Sequence, residues 1–184
     1  MNAVELLKAD HDVVRKLFQD VKEESDDSKH PPIFKKIKAE LDVHAHIEEV
    51  IFYPKLKEDG DKELVDIVLE GIEEHRQMKM FLRQIVDLSD DSEQFEPKLK
   101  VLMEDTDHHV KEEEDEMFPM VKEQFDSDVL LDWVRRWRPR RKNFRLRRNL
   151  TTQRFSKTCV FRPGATAFLR RPQFRRLTQL LFRY

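Results

Sequence analysis

Glycine is scarce in this 184-residue chain, with three, and cysteine is limited to Cys159. A lone thiol makes no disulfide within the chain and is compatible with a reducing compartment. No stretch is apolar enough to span a membrane and no signal peptide opens the sequence, so a cytoplasmic protein is expected. A phosphate-cradling glycine loop is missing, as is a Cys–His pair suited to nucleophilic catalysis. Strand-like alternation of Val and Ile is also absent, which points to an all-α chain.

What is present is helical periodicity. Helices are expected at about 3–24, 33–57, 61–88 and 95–125. They are joined by Ser25–Pro32, by the Glu58-Asp-Gly60 stop, and by Ser89-Asp-Asp-Ser92 with the two residues after it. Connections this short imply antiparallel neighbours, an up-down four-helix bundle for which residues 1–126 suffice. Pro54 and Pro119 are expected to kink or end the helices that carry them.

The net charge of −2 hides a break near residue 128. Residues 1–128 carry 18 Lys+Arg against 36 Asp+Glu, and residues 129–184 carry 17 against one. Arg numbers three against fifteen Lys in the first part and fifteen against two in the second. Residues 127–184 are therefore read as an Arg-rich tail outside the bundle, with three readings open. The tail is a basic arm for nucleic acid or an anionic membrane, an arm folded on the acidic bundle, or a disordered or frame-shifted extension. Any nucleic-acid binding through it is expected to be weak and non-specific, because the acidic body opposes it. A chain cut near residue 128 is expected to keep the fold.

The chemistry-bearing signal is an internal repeat. His44-Ala-His-Ile-Glu-Glu-Val-Ile-Phe-Tyr-Pro54 is echoed sixty-five positions later by His109-Val-Lys-Glu-Glu-Glu-Asp-Glu-Met-Phe-Pro119. Asp10-His11 precedes the first copy by thirty-three residues and Glu74-His75 precedes the second by thirty-four. Each half thus supplies a His followed by His-x-x-x-Glu.

All six residues fall on apolar stripes. These run Leu7, His11, Val14, Phe18, Val21; then Ile37, Leu41, His44, Glu48, Ile51. The third is Val68, Ile72, His75, Met78, Leu82, Ile85, and the fourth Leu102, Thr106, His109, Glu113, Met117, Val121. A carboxylate aimed into a bundle core needs a cation or a tight partner, and four His with two Glu make a metal site the expected answer. A single core His is more often structural, but six matched positions argue otherwise. The other three histidines are read as solvent-facing: His46 and His108 lie off their stripes, and His30 sits in a Ser/Asp/Pro linker. Glu49 and Glu114 are supporting or substitute ligands.

These segments, with Glu73-Glu-His75, resemble hemerythrin-like proteins of the HHE cation-binding type over residues 1 to about 126. The resemblance implies a bundle around a non-haem di-iron centre with an oxo or hydroxo bridge. His11, His44, His75 and His109 would be its nitrogen ligands, and Glu48 and Glu113 its bridging carboxylates. Oxygen carriers of that family have a second His one turn after the first on the third helix, where this chain has Lys79. They also have an Asp where this chain has Glu114. Residues 129–137 look like a remnant of the helix that ends such proteins.

Two roughly octahedral ions offer about twelve positions. Two bridging carboxylates fill four, a bridging oxygen two and four His four, so about two stay open. Open positions on both ions favour peroxide, nitric oxide or redox chemistry over one-site oxygen storage. Three functions are compatible with this site: a di-iron protein that binds oxygen or a related ligand or senses or buffers iron; an enzyme decomposing peroxide or handling nitric oxide; and a metal-free helical interaction protein.

Overall fold

The computed structural model describes residues 1–137, all of whose regular structure is helical. Readings of the tail that concern residues 138–184 lie outside the described residues.

The first helix, α1 (Ala3–Glu23), begins at a capping box. Asn2 Oδ1 accepts from the Glu5 amide at 3.0 Å, and Glu5 Oε2 accepts from the Asn2 amide at 2.9 Å. These bonds satisfy donors that a helix start leaves open.

Helix α2 (His30–Ile47) starts three residues earlier than periodicity suggests, because Pro31 and Pro32 occupy its first turn, where a missing amide costs nothing. His30, expected to face solvent, is buried as the first residue of α2. Its Nδ1 lies 2.9 Å from Glu96 Oε2, and the ring pins α2 to the start of the fourth bundle helix. Burial works against its charge, but Glu96 and the Glu24 carbonyl outweigh that and raise its pKa. The linker location masked a residue with tertiary partners.

Helix α2 does not stop at its ligand motif. A π-turn over Glu48–Phe52 leads directly into α3 (Tyr53–Asp59), and another over Glu113–Met117 joins α5 (Phe95–Glu112) to α6 (Phe118–Gln124). Neither Pro54 nor Pro119 ends its helix. The widened turn supplies i→i+5 bonds, from the Tyr53 amide to Glu48 and from the Phe118 amide to Glu113, where a proline one residue later would otherwise collide with the preceding turn. The extra residue also rotates the stripe. Phe52 and Tyr53 are fully buried and Ile51, expected in the core, is only partly so.

Gly60 closes α3, its amide bonded to Leu56 O at 2.9 Å. A Cβ there would meet that carbonyl at 2.4 Å, so the tight corner into α4 (Lys62–Val86) requires glycine. Asp61 caps α4 by accepting from the Leu64 amide at 2.9 Å.

The four bundle helices are α1, α2 with α3, α4, and α5 with α6. They bury two apolar clusters, one including Leu7, Ile47, Phe52, Val68 and Val121, the other Val14, Phe18, Leu41, Leu82 and Leu99. Along every helix the candidate ligand lies between a residue of one cluster and a residue of the other. The core is therefore interrupted by a single polar layer.

A seventh helix, over residues 127–137, follows α6. It buries Leu130, Trp133, Val134 and Trp137, and the two indole rings meet Phe52 edge-on at 6.0 and 5.7 Å between centroids. Deleting a buried side chain of this size costs about 2–5 kcal/mol. A chain ending at residue 137 should therefore unfold cooperatively, whereas one ending at 128 should melt lower by more than about 10 °C. Differential scanning calorimetry of the two would show it, and equal melting temperatures would mean the helix adds nothing.

Candidate metal centre

The structure brings together all six expected residues, each 2 % exposed or less. They come from four helices. His11 is on α1, His44 in the last turn of α2, His75 is on α4 and His109 is on α5, while Glu48 and Glu113 open the two π-turns. On each motif-bearing helix, His and Glu four residues apart share the inward face.

The histidines form two pairs. The Nε2 atoms of His11 and His44 are 3.2 Å apart, and those of His75 and His109 are 3.1 Å apart. Glu48 Oε2 stands 3.1 Å from His44 Nε2 and 3.2 Å from His75 Nε2, one nitrogen of each pair. Glu113 Oε2 likewise stands 3.2 Å from His11 Nε2 and 3.8 Å from His109 Nε2. The donors fall into two groups, His11–His44–Glu48–Glu113 and Glu48–His75–His109, with Glu48 common to both. Nitrogens at such spacing match adjacent ligands of one ion with bonds of about 2.1 Å.

The tautomers fit the same reading. His11 Nδ1 lies 2.8 Å from Glu114 Oε1, His75 Nδ1 3.1 Å from Glu49 Oε1, and His109 Nδ1 2.6 Å from Glu74 Oε2. His44 Nδ1 is more loosely placed, 3.8 Å from Asp10 Oδ2. A neutral imidazole donating Nδ1–H to a carboxylate keeps its Nε2 lone pair free for a metal. Without a cation, paired lone pairs would face one another.

Electrostatics tell the same story. Both oxygens of Glu48 and Oε2 of Glu113 are buried without a hydrogen-bond partner among the described residues. Burial, and then the neighbouring Glu113, push the Glu48 carboxyl well above the usual range. Burial opposes ionisation of Glu113 as well, but His109, His11 and His44 outweigh it and hold its pKa low. Burial likewise opposes charge on His109, yet Glu113 and Glu74 raise its pKa. The pocket draws in positive charge. A divalent ion at each histidine pair would supply it, so the donor set fits a two-ion site.

Glu49 and Glu114 serve as partners of histidines. Burial alone would raise Glu49, but His75 and Lys79 bring it to about 2. Lys79, one turn after His75, is an ion-pair partner of Glu49. Of the remaining histidines, His108 is exposed as expected and His46 is partly buried.

Sequence reasoning missed Asp10, Glu74 and Tyr53. The signal for the first two was the acidic residue immediately before the first histidine of each half. Tyr53, fully buried, donates its hydroxyl to Glu113 Oε1 at 2.8 Å. Its counterpart in the second half is Phe118, which stacks on His11 at 5.7 Å but has no hydroxyl for Glu48. Repeat comparison would have marked this asymmetry.

Comparison with known proteins places the geometry. Residues 2–121 match the hemerythrin HHE cation binding domain. A solved structure of a hemerythrin HHE cation binding domain-containing protein from Mycobacterium kansasii is similar, with 26 % identity and a TM-score of 0.64. The match covers 79 % of this chain and 88 % of that one. A DNA nickase from Nostoc sp. (strain PCC 7120) is 27 % identical over 137 residues, which make up 73 % of this chain and 37 % of that protein. The chain thus spans little more than a third of that relative's length.

The carboxylates behind the histidines carry a prediction. Glu114→Ala and Glu49→Ala should each weaken metal binding by about 10–100-fold, because the imidazole they orient loses its fixed tautomer. Asp115→Ala, at an exposed neighbouring position, should leave it unchanged. Competition with a coloured chelator measures this, and equal affinities in all three would remove the proposed role.

Proposed function

Because the chain belongs to the hemerythrin HHE cation-binding family, we propose that its bundle centre binds two iron ions and presents them to dioxygen or a related small ligand, or senses or buffers iron. The observation that carries this reading is the pair of buried carboxylates, Glu48 and Glu113, each set between two imidazole pairs and leaving oxygens without hydrogen-bond partners. Iron bound there would bring ligand exchange and one-electron redox chemistry.

The surrounding residues have definable tasks. His11, His44, His75 and His109 would hold the ions in two pairs, with Glu48 and Glu113 between them. Tyr53 fixes one oxygen of Glu113 through its hydroxyl, and burial with the neighbouring carboxylates keeps that hydroxyl protonated. The apolar clusters on either side keep bulk water away, which strengthens every charge interaction within. A metal-free interaction protein would leave Glu48 buried with both oxygens lacking a hydrogen-bond partner among the described residues, at a cost of several kcal/mol or a bound proton.

A second reading has its own support. With Lys79 engaged by Glu49, each ion would be held by two imidazoles, and neither would have the extra histidine that makes an oxygen carrier's site one-sided. Open positions on both ions would favour turnover of peroxide or reaction with nitric oxide over reversible carriage.

Nicking belongs by name to the Nostoc relative. Here the −18 charge of residues 1–128 opposes a polyanion, so association with nucleic acid would be weak, salt-sensitive and carried by the Arg-rich residues after them. Among the described residues no helix is long and apolar enough to cross a membrane.

Protein produced with iron should contain about two irons per chain by elemental analysis and absorb in the near ultraviolet when oxidised. His44→Ala with His109→Ala should lower iron content and melting temperature together, because binding energy is also folding energy. Full loading of that double variant would sink the assignment. Reduced protein should oxidise in air, and a long-lived reversible oxygen adduct would instead mark a carrier.

A further inference from the structure

Beside the centre, between α4 and the α5 π-turn, lies a cavity of about 30 Å³, room for one or two water-sized particles. Five carboxylates line it, those of Glu70, Glu74, Glu112, Glu113 and Glu116, and no Lys or Arg does. Its inner wall is His109 and Glu113, and the buried Glu113 leaves Oε2 without a hydrogen-bond partner. Its outer carboxylates, Glu70 and Glu116, are exposed.

Two of the lining residues, Glu74 and Glu112, belong with the exposed His108 to a second donor cluster. Atoms of Glu74, His108 and Glu112 lie within 4.8 Å of one another, with His108 Nε2 3.0 Å from Glu112 Oε1. Glu74 also contacts His109 Nδ1 at 2.6 Å, so one carboxylate touches both the outer cluster and the centre. Gly71 lines the passage, and a Cβ there would meet the Tyr53 hydroxyl at 3.0 Å and His109 Cε1 at 3.6 Å. Another cavity near the centre is lined by Lys38, Lys79 and Arg83 against two carboxylates, Asp42 and Glu49, a poorer approach for a cation.

We infer that Glu74, His108 and Glu112 form a transit site for a divalent cation, at the mouth of an acidic portal through which ferrous iron reaches His109 and Glu113. The inference rests on the reading of the bundle centre as a cation site. Convergent carboxylates in a narrow cleft raise the local cation concentration and the association rate, an effect that salt suppresses.

The test is stopped-flow mixing of ferrous ion with the full-length apo-protein under anaerobic conditions. The variant Glu70→Gln/Glu112→Gln/Glu116→Gln should load about tenfold more slowly and with a flatter salt dependence, yet reach the wild-type iron content. A control with the same charge change elsewhere, Glu93→Gln/Glu104→Gln/Glu123→Gln, should load at the wild-type rate. The single variant His108→Ala, at an exposed position, should also slow loading, and it decides the matter if circular dichroism shows that the triple variant misfolds. Zinc titrated into the iron-loaded protein should find one further, weaker equivalent that His108→Ala abolishes. Wild-type loading rates in both portal variants would overturn the portal. Failure of the wild-type protein to take up iron would overturn the reading of the centre instead.

Discussion

Two carboxylates in the middle of a helical bundle set the terms for the rest of this structure. Glu48 and Glu113 are at most 1 % exposed, and the apolar clusters on either side offer them no solvation. An uncompensated buried carboxylate costs several kcal/mol or takes up a proton, so the fold is at ease only when positive charge occupies the space between the histidine pairs. Packing and metal chemistry meet in one layer. The helices must bring four imidazoles to that layer at the spacing of shared ligands, and the apolar side chains above and below must hold it closed.

The internal repeat explains how one chain does this twice. Within each half, the acidic residue before the first histidine faces the second histidine, Asp10 toward His44 and Glu74 toward His109. Between halves, the residue after each inward Glu reaches the other half's first histidine, Glu49 to His75 and Glu114 to His11. The two halves are thus interlocked through their imidazoles. The symmetry fails at Tyr53 and Phe118, so Glu113 has a hydroxyl partner where Glu48 has none.

Much of this was legible in the sequence, for physical reasons. His and Glu at i and i+4 on an apolar stripe leave few alternatives to a shared inward face, the repeat added His11 and His75, and periodicity with short connections led to the bundle. The π-turns were not legible, because an inserted residue leaves the motif intact and only redirects the downstream turn, bringing Phe52 inward in place of Ile51. The partners of the histidines depend on which helices pack together. Residues 129–137 were read as a helix remnant, but the Arg-rich composition placed them outside the bundle, although Leu130, Trp133, Val134 and Trp137 repeat at helical spacing and all lie buried. A shift in charge drew the eye to residue 128, while the core continues to residue 137.

The central claim is that two ions share Glu48 and Glu113, one held by each histidine pair. Anomalous diffraction at the iron edge from crystals of the iron-loaded protein tests it most directly. The account predicts two peaks, one against His11 and His44 and the other against His75 and His109, with both carboxylates spanning them. A single peak, or peaks that neither carboxylate touches, would contradict it.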